Sequence, residues 1–227
     1  MGASRQLIDA VTGVADERLR GLGFTRRRYG HIIEVTPEVL GWVGLNRDVR
    51  RGDNKLLINP VLGIRHQAVE REVARLCGKK FDPYFPSTIS APLSQLAKGT
   101  FSEFTKRGTH YLFEEVREKK LERQVKKMVD TIATYAFRFF KAHSSLQALA
   151  AALRLGDYGF PHQLVYRVPV ALTLLGQDSD ALDAVRASVA ELGDREDLAA
   201  QKFRAFADTF ISHSSTVGKT AELIELS

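Results

Sequence analysis

An α+β fold is what the sequence predicts: an antiparallel meander sheet packed by an N-terminal helix and a long helix, followed by a helical C-terminal extension. Three observations predict it. Apolar residues recur at helical spacing over 5–22 and again over 118–141. Three stretches between 24 and 64, rich in aromatic and β-branched residues, are joined by connections too short for parallel crossovers. Beyond 144 the apolar period is helical in every segment. An α+β domain is therefore expected over 1–143, and a helical extension packed on the long helix over 144–227.

Each element has its own signal. Leu7, Val11, Val14, Ala15, Leu19 and Leu22 recur at helical spacing, and Gly21 and Gly23 stop the helix. A strand over 24–35 turns at Pro37 into a second over 39–49. Residues 50–54, Arg-Arg-Gly-Asp-Asn, supply the next turn, and a third strand over 55–64 carries Pro60, which argues for an edge or a bulge. A helix is expected over 67–76, an irregular proline-rich stretch over 79–100 with a short helix near 93–97, and a fourth strand over 109–116. The long helix presents Leu121, Val125, Met128, Ile132, Ala136 and Phe139 on one stripe. Ser144 or Ser145 caps a helix ending near Gly156, and Pro161 opens another through 175. Asp178 or Ser179 caps a third through 192, and a last helix runs over 195–211 before a polar tail expected to fray.

The chain has 227 residues, 44% hydrophobic and 26% charged, which excludes disorder and leaves enough apolar surface for a core. Cys77 is the only cysteine, so no intrachain disulfide can form. No run of about 18 apolar residues occurs and the N-terminus shows no signal-peptide stretch, so a cytoplasmic protein without membrane contact is expected. The formal charge of +6 is unevenly split. Residues 1–127 hold 24 Lys and Arg against 15 Asp and Glu, whereas 128–227 hold 9 against 12. The first part is thus +9 and the second −3, and clustered positive charge suits an acidic partner.

The motifs of common chemistry are missing. Gly218-Lys219-Thr220 echoes a phosphate-binding loop, but His213 stands where its first glycine belongs. Arg51-Gly52-Asp53 reads as a turn. No two histidines lie three or four apart, and one cysteine cannot build a thiolate site, so neither a metal nor any other cofactor is expected. Cys77 reads as a small core residue, and Gly41 and Gly44 lack the strand–turn–helix setting of a dinucleotide fingerprint.

The arginines carry the sharpest signal. In one strand Arg26 and Arg28 share a face and Arg27 takes the other. A hairpin turning at Pro37 sets positions 26 and 28 opposite 48 and 46, near Arg47, with Arg50 and Arg51 at the following turn. Arg26, Arg28, Tyr29, Arg47, Arg50 and Arg51 are the expected partner-binding residues, with His31 and Trp42 beside them. Arginine and aromatic residues anchor protein interfaces, and they also grip phosphates and stack on bases. Protein and nucleic acid are both open as partners, and a weaker reading makes Glu34 and His31 the site of an enzyme without a motif.

Leu22-Gly23-Phe24-Thr25-Arg26-Arg27-Arg28 after a helix, then a strand pair and Ile58-Asn59-Pro60-Val61-Leu62-Gly63-Ile64, resembles a bacterial family of small α+β domains of unknown function. Ile132-Ala133-Thr134-Tyr135-Ala136-Phe137-Arg138-Phe139-Phe140 and Ser145-Leu146-Gln147-Ala148-Leu149 are similar to its long helix and the helix after it. The resemblance covers about residues 5–155 and rests on structural residues. Related domains occur among immunity proteins that accompany polymorphic toxins. It implies a toxin-neutralising protein acting by occlusion, and the basic first half fits a toxin less basic than the RNA-cutting kind.

Overall fold

The computed structural model describes residues 5–49, 55–97, 111–114 and 117–225. The chain divides into two compact units. A sheet unit comprises Met1–Arg65 and Tyr84–Ser144, and a helical unit comprises His66–Pro83 and Ser145–Ser227. The sequence reading set one boundary, at 143/144; the chain passes between the units at 65/66, 83/84 and 144/145.

The sheet unit opens with helix α1 (Arg5–Gly21), whose Leu7, Val11, Ala15 and Leu19 are buried at four-residue steps. Gly23, at φ +91°, ends it in the left-handed turn that closes helices: its N–H meets Arg20 O and the Phe24 N–H meets Leu19 O. The strands are β1 (Thr25–Arg27), β2 (Gly30–Thr36), β3 (Val39–Val49), β4 (Lys55–His66), β5 (Ile89–Pro92) and β6 (Tyr111–Glu114). They form an antiparallel meander in the order β1-β2-β3-β4-β5, with β6 also paired to β4. Helix α4 (Glu118–Ala142) packs with α1 on one face, burying Val125, Met128, Ile132, Ala136 and Phe140. Gly41 makes this contact possible, because a Cβ there would run into the Phe140 ring.

Three expectations about the sheet need correction. The segment 24–35 is two strands: the chain reverses at Arg28-Tyr29, pairing Arg27 with Gly30 and Arg26 with His31. Among the described residues no non-glycine residue has positive φ, so this reversal uses none of the Asn-Gly chemistry that announces a tight hairpin. The predicted offset between the next two strands is present, with His31 opposite Val43, but Arg26 and Arg28 do not face 48 and 46 because the chain has already turned. Pro60 is buried within a central strand. It falls between the part of β4 paired to β6 (55–58) and the part paired to β5 (61–64), where no edge partner needs its missing N–H. Strand β5 itself hides in the proline-rich stretch and ends at Pro92, which caps the short helix α3 (Leu93–Leu96).

The helical unit contains α2 (Gln67–Leu76), α5 (Leu146–Leu155), α6 (Pro161–Thr173), α7 (Asp178–Leu192) and α8 (Leu198–Glu225). Ser145 caps α5, its Oγ accepting from Ala148 N at 3.2 Å, while Gln177 rather than Asp178 or Ser179 caps α7. Asp197 caps α8 by accepting from Ala199 and Ala200 N–H, and that helix continues through the segment expected to fray. Tyr166, Phe203, Phe206 and Phe210 form its aromatic core. Arg167 of the same unit, buried, donates through Nε to Glu70 at 2.7 Å and through Nη1 to Gln163 at 2.6 Å.

Candidate functional site

Strand parity assembles the site. Arg26 pairs with His31 and His31 with Val43, so these three share the helix-covered face, and Leu45 and Arg47 follow Val43 on that face at two-residue steps. Because β2 begins at Gly30, the last residues of β3 run past it, and Arg47 comes alongside the Arg28-Tyr29 turn. Helix α1 adds Thr12 and Asp16. Together with Arg27, Arg28 and Tyr29 these residues line an open, mainly polar cleft of about 120 Å³ at the corner of the sheet. Gly30 belongs to the wall, where a Cβ would lie 2.7 Å from both Trp42 Nε1 and Val43 O.

The charges in this cleft are unequal: four arginines against one aspartate. Asp16 is already engaged. Its Oδ2 accepts from Arg26 Nη1, and its Oδ1 lies 2.7 Å from His31 Nε2. Burial first, and the Arg26 guanidinium second, lower the His31 pKa from 6.5 to about 4, against an opposing pull from the Val43 backbone. His31 is therefore neutral at pH 7, and the geometry assigns its Nε2–H as donor to Asp16. Among the described residues neither Arg28 nor Arg47 forms an ion pair.

Aromatic rings adjoin the arginines. The Arg27 guanidinium lies 4.6 Å from the Tyr84 ring centre and Arg28 lies 5.1 Å from that of Tyr29. Tyr29 packs on Phe85 with ring centres 4.5 Å apart. All three rings stay well exposed, at 48%, 40% and 39% for Tyr29, Tyr84 and Phe85.

Of the residues singled out in the sequence, Arg26, Arg28, Tyr29 and Arg47 converge on this cleft; Arg50 and Arg51 lie outside the described residues. His31 is buried in the wall, and Trp42 lies on the opposite face of the sheet, against Gly30 and Gly44. Glu34 is exposed, and parity puts it on the face of β2 away from His31. Sequence reasoning missed Asp16, Thr12, Tyr84 and Phe85. Asp16 follows buried Ala15 at the margin of the α1 stripe, and Tyr84-Phe85 is an aromatic pair set between Pro83 and Pro86, so each left only a faint mark.

Other reactive groups are less suited to a site. Cys77 caps α2, and burial pushes its thiol pKa up, away from the reactive thiolate. Among the described residues no His, Cys, Asp and Glu side chains gather in the way a metal ion requires, and no helix is long and apolar enough to cross a membrane.

The fold is α+β, and arginine and aromatic side chains gather at one corner of its sheet. Compared with known proteins, the chain matches no family model, no curated protein and no solved structure.

Proposed function

We propose that this chain is a protein-binding protein of the immunity type, occluding a cognate toxin by docking the toxin's acidic surface on the corner formed by Arg28, Tyr29, Arg47, Tyr84 and Phe85. One observation carries the protein-binding reading: Arg28 and Arg47 line a cleft together with the exposed Tyr29, whose ring packs on Phe85, and no described carboxylate pairs with either arginine. Arginine and tyrosine supply the anchors of protein interfaces, where they meet acidic and apolar patches in turn. The resemblance over residues 5–155 supports the toxin-neutralising form of this reading.

The same contacts favour protein over nucleic acid. Single-stranded nucleic acid needs ring faces open for bases. Here Tyr84 carries Arg27, and Tyr29 carries Arg28 and packs on Phe85. A photo-crosslinking residue at position 29, in the cell that makes this protein, tests the proposal. The expected product is one protein at 1:1 that arrests growth when expressed alone and is harmless beside this chain, with protection lost in Arg28→Glu/Arg47→Glu. Cross-links to nucleic acid alone, with affinity falling steeply as salt rises, would overturn it.

A further inference from the structure

We propose that the corner cleft is a carboxylate subsite, which takes one Asp or Glu side chain of the protein partner between Arg28 and Arg47. This rests on the protein-binding reading and names the group that the cleft recognises.

Size sets the first limit. At about 120 Å³ the cleft holds a few waters' worth of volume, far below the roughly 300–1,000 Å³ of pockets that enclose whole small molecules. A single anionic headgroup matches it. Geometry sets the second. Arg26 is tied to Asp16, and Asp16 to His31 Nε2, so this arginine is already paired and cannot swing across to fill the cleft. Arg28 and Arg47 keep their donors for a ligand, and guanidinium groups match planar carboxylates through paired N–H donors.

Charge sets the third limit. Asp16 lines the same cleft, but its carboxylate is engaged by Arg26 and His31, so the remaining arginines leave a surplus of positive charge that attracts an anion. The cleft thereby favours a charged carboxylate over its neutral amide counterpart.

Titration of the full chain tests this, read by NMR of the arginine Nε–Hε groups. The probes are a capped Gly-Gly-Glu-Glu-Gly-Gly peptide, its Gln-Gln counterpart and inorganic phosphate. The Glu peptide should shift Arg28 and Arg47 to saturation while the Gln peptide does not. Arg47→Gln should weaken binding roughly ten- to a hundredfold, the range for a lost charge-assisted hydrogen bond. Equal shifts from the Glu and Gln peptides would overturn the subsite, as would saturation of the wild type by phosphate but not by the Glu peptide. Those failures leave a 1:1 cross-linked protein partner at position 29 standing. Conversely, Glu-specific shifts with cross-links only to nucleic acid would support the subsite and sink the protein-binding reading.

Discussion

Each unit contains a distinctive arginine site, and the two sites are opposites. In the helical unit Arg167 is 4% exposed and fully engaged, tying α6 to α2 through Glu70 and to its own helix through Gln163. In the sheet unit Arg28 and Arg47 are exposed and carry no ion pair among the described residues. A buried arginine without a partner is prohibitively costly, so Arg167 must be satisfied inside its own fold. An exposed arginine is satisfied by water and stays available. The same residue type therefore serves architecture in one place and, in the function we propose, recognition in the other, and burial is what separates them.

The largest effect comes from breaking the buried pair. Glu70→Gln leaves the Arg167 charge buried without its counter-ion and should cost about 3–5 kcal/mol, read from urea unfolding of the full chain. Glu70→Leu/Arg167→Leu removes both charges and should recover most of that loss, since paired burial gains little over apolar packing. A double variant as unstable as the single one would show that the pair does more than neutralise itself.

Next is His31, the buried titratable group in the wall of the corner cleft. Its folded pKa of about 4 lies below the unfolded 6.5, so between these values the unfolded chain holds a proton that the folded chain lacks. The contribution is complete above pH 6.5 and is lost as pH falls toward 4. The slope reaches about 1.4 kcal/mol per pH unit and sums to about 3 kcal/mol. His31→Gln should flatten this part of the stability–pH curve. A slope unchanged in the variant would assign the acid sensitivity to other groups.

The contrast between the two arginine sites also explains what the sequence could disclose. Elements driven by long apolar periods were legible: the α1 stripe of Leu7, Val11, Ala15 and Leu19, the long helix α4, and the offset between β2 and β3. The reversal at Arg28-Tyr29 was not, because it lacks glycine or asparagine at a positive-φ position. Strand β5 was hidden by flanking prolines, which an edge strand tolerates at its end. Arg26, Arg28 and Tyr29 were visible as a local run, whereas Arg47 was set beside them by a register that the reversal at Arg28-Tyr29 changes. Asp16 could be placed there only by tertiary folding, and so could the Glu70–Arg167 pair, whose members are 97 residues apart.

Asp16 stands between the two classes, and its removal sharpens the boundary. Its side chain is 16% exposed, while its partners Arg26 and His31 are 57% and 6% exposed. Asp16→Ala should cost about 1–2 kcal/mol, less than Glu70→Gln, because water can still solvate the released Arg26. Urea unfolding at pH 7 gives the comparison directly. A loss equal to that of Glu70→Gln would make this corner structural rather than a poised surface.

The smallest stability effect belongs to the residues with the largest proposed role. Among the described residues Arg47 has no ion pair to lose, and Arg28 gives up an exposed contact with Tyr29 worth about 0.5–1 kcal/mol. Arg28→Ala/Arg47→Ala should therefore leave stability within about 1 kcal/mol of the wild type. The same pair of changes should abolish protection against the cross-linked partner. If instead the double variant unfolds as readily as Glu70→Gln, then these guanidinium groups support the fold, and exposure no longer separates recognition from architecture. An intact fold with lost binding is the outcome that the two arginine sites, set side by side, require.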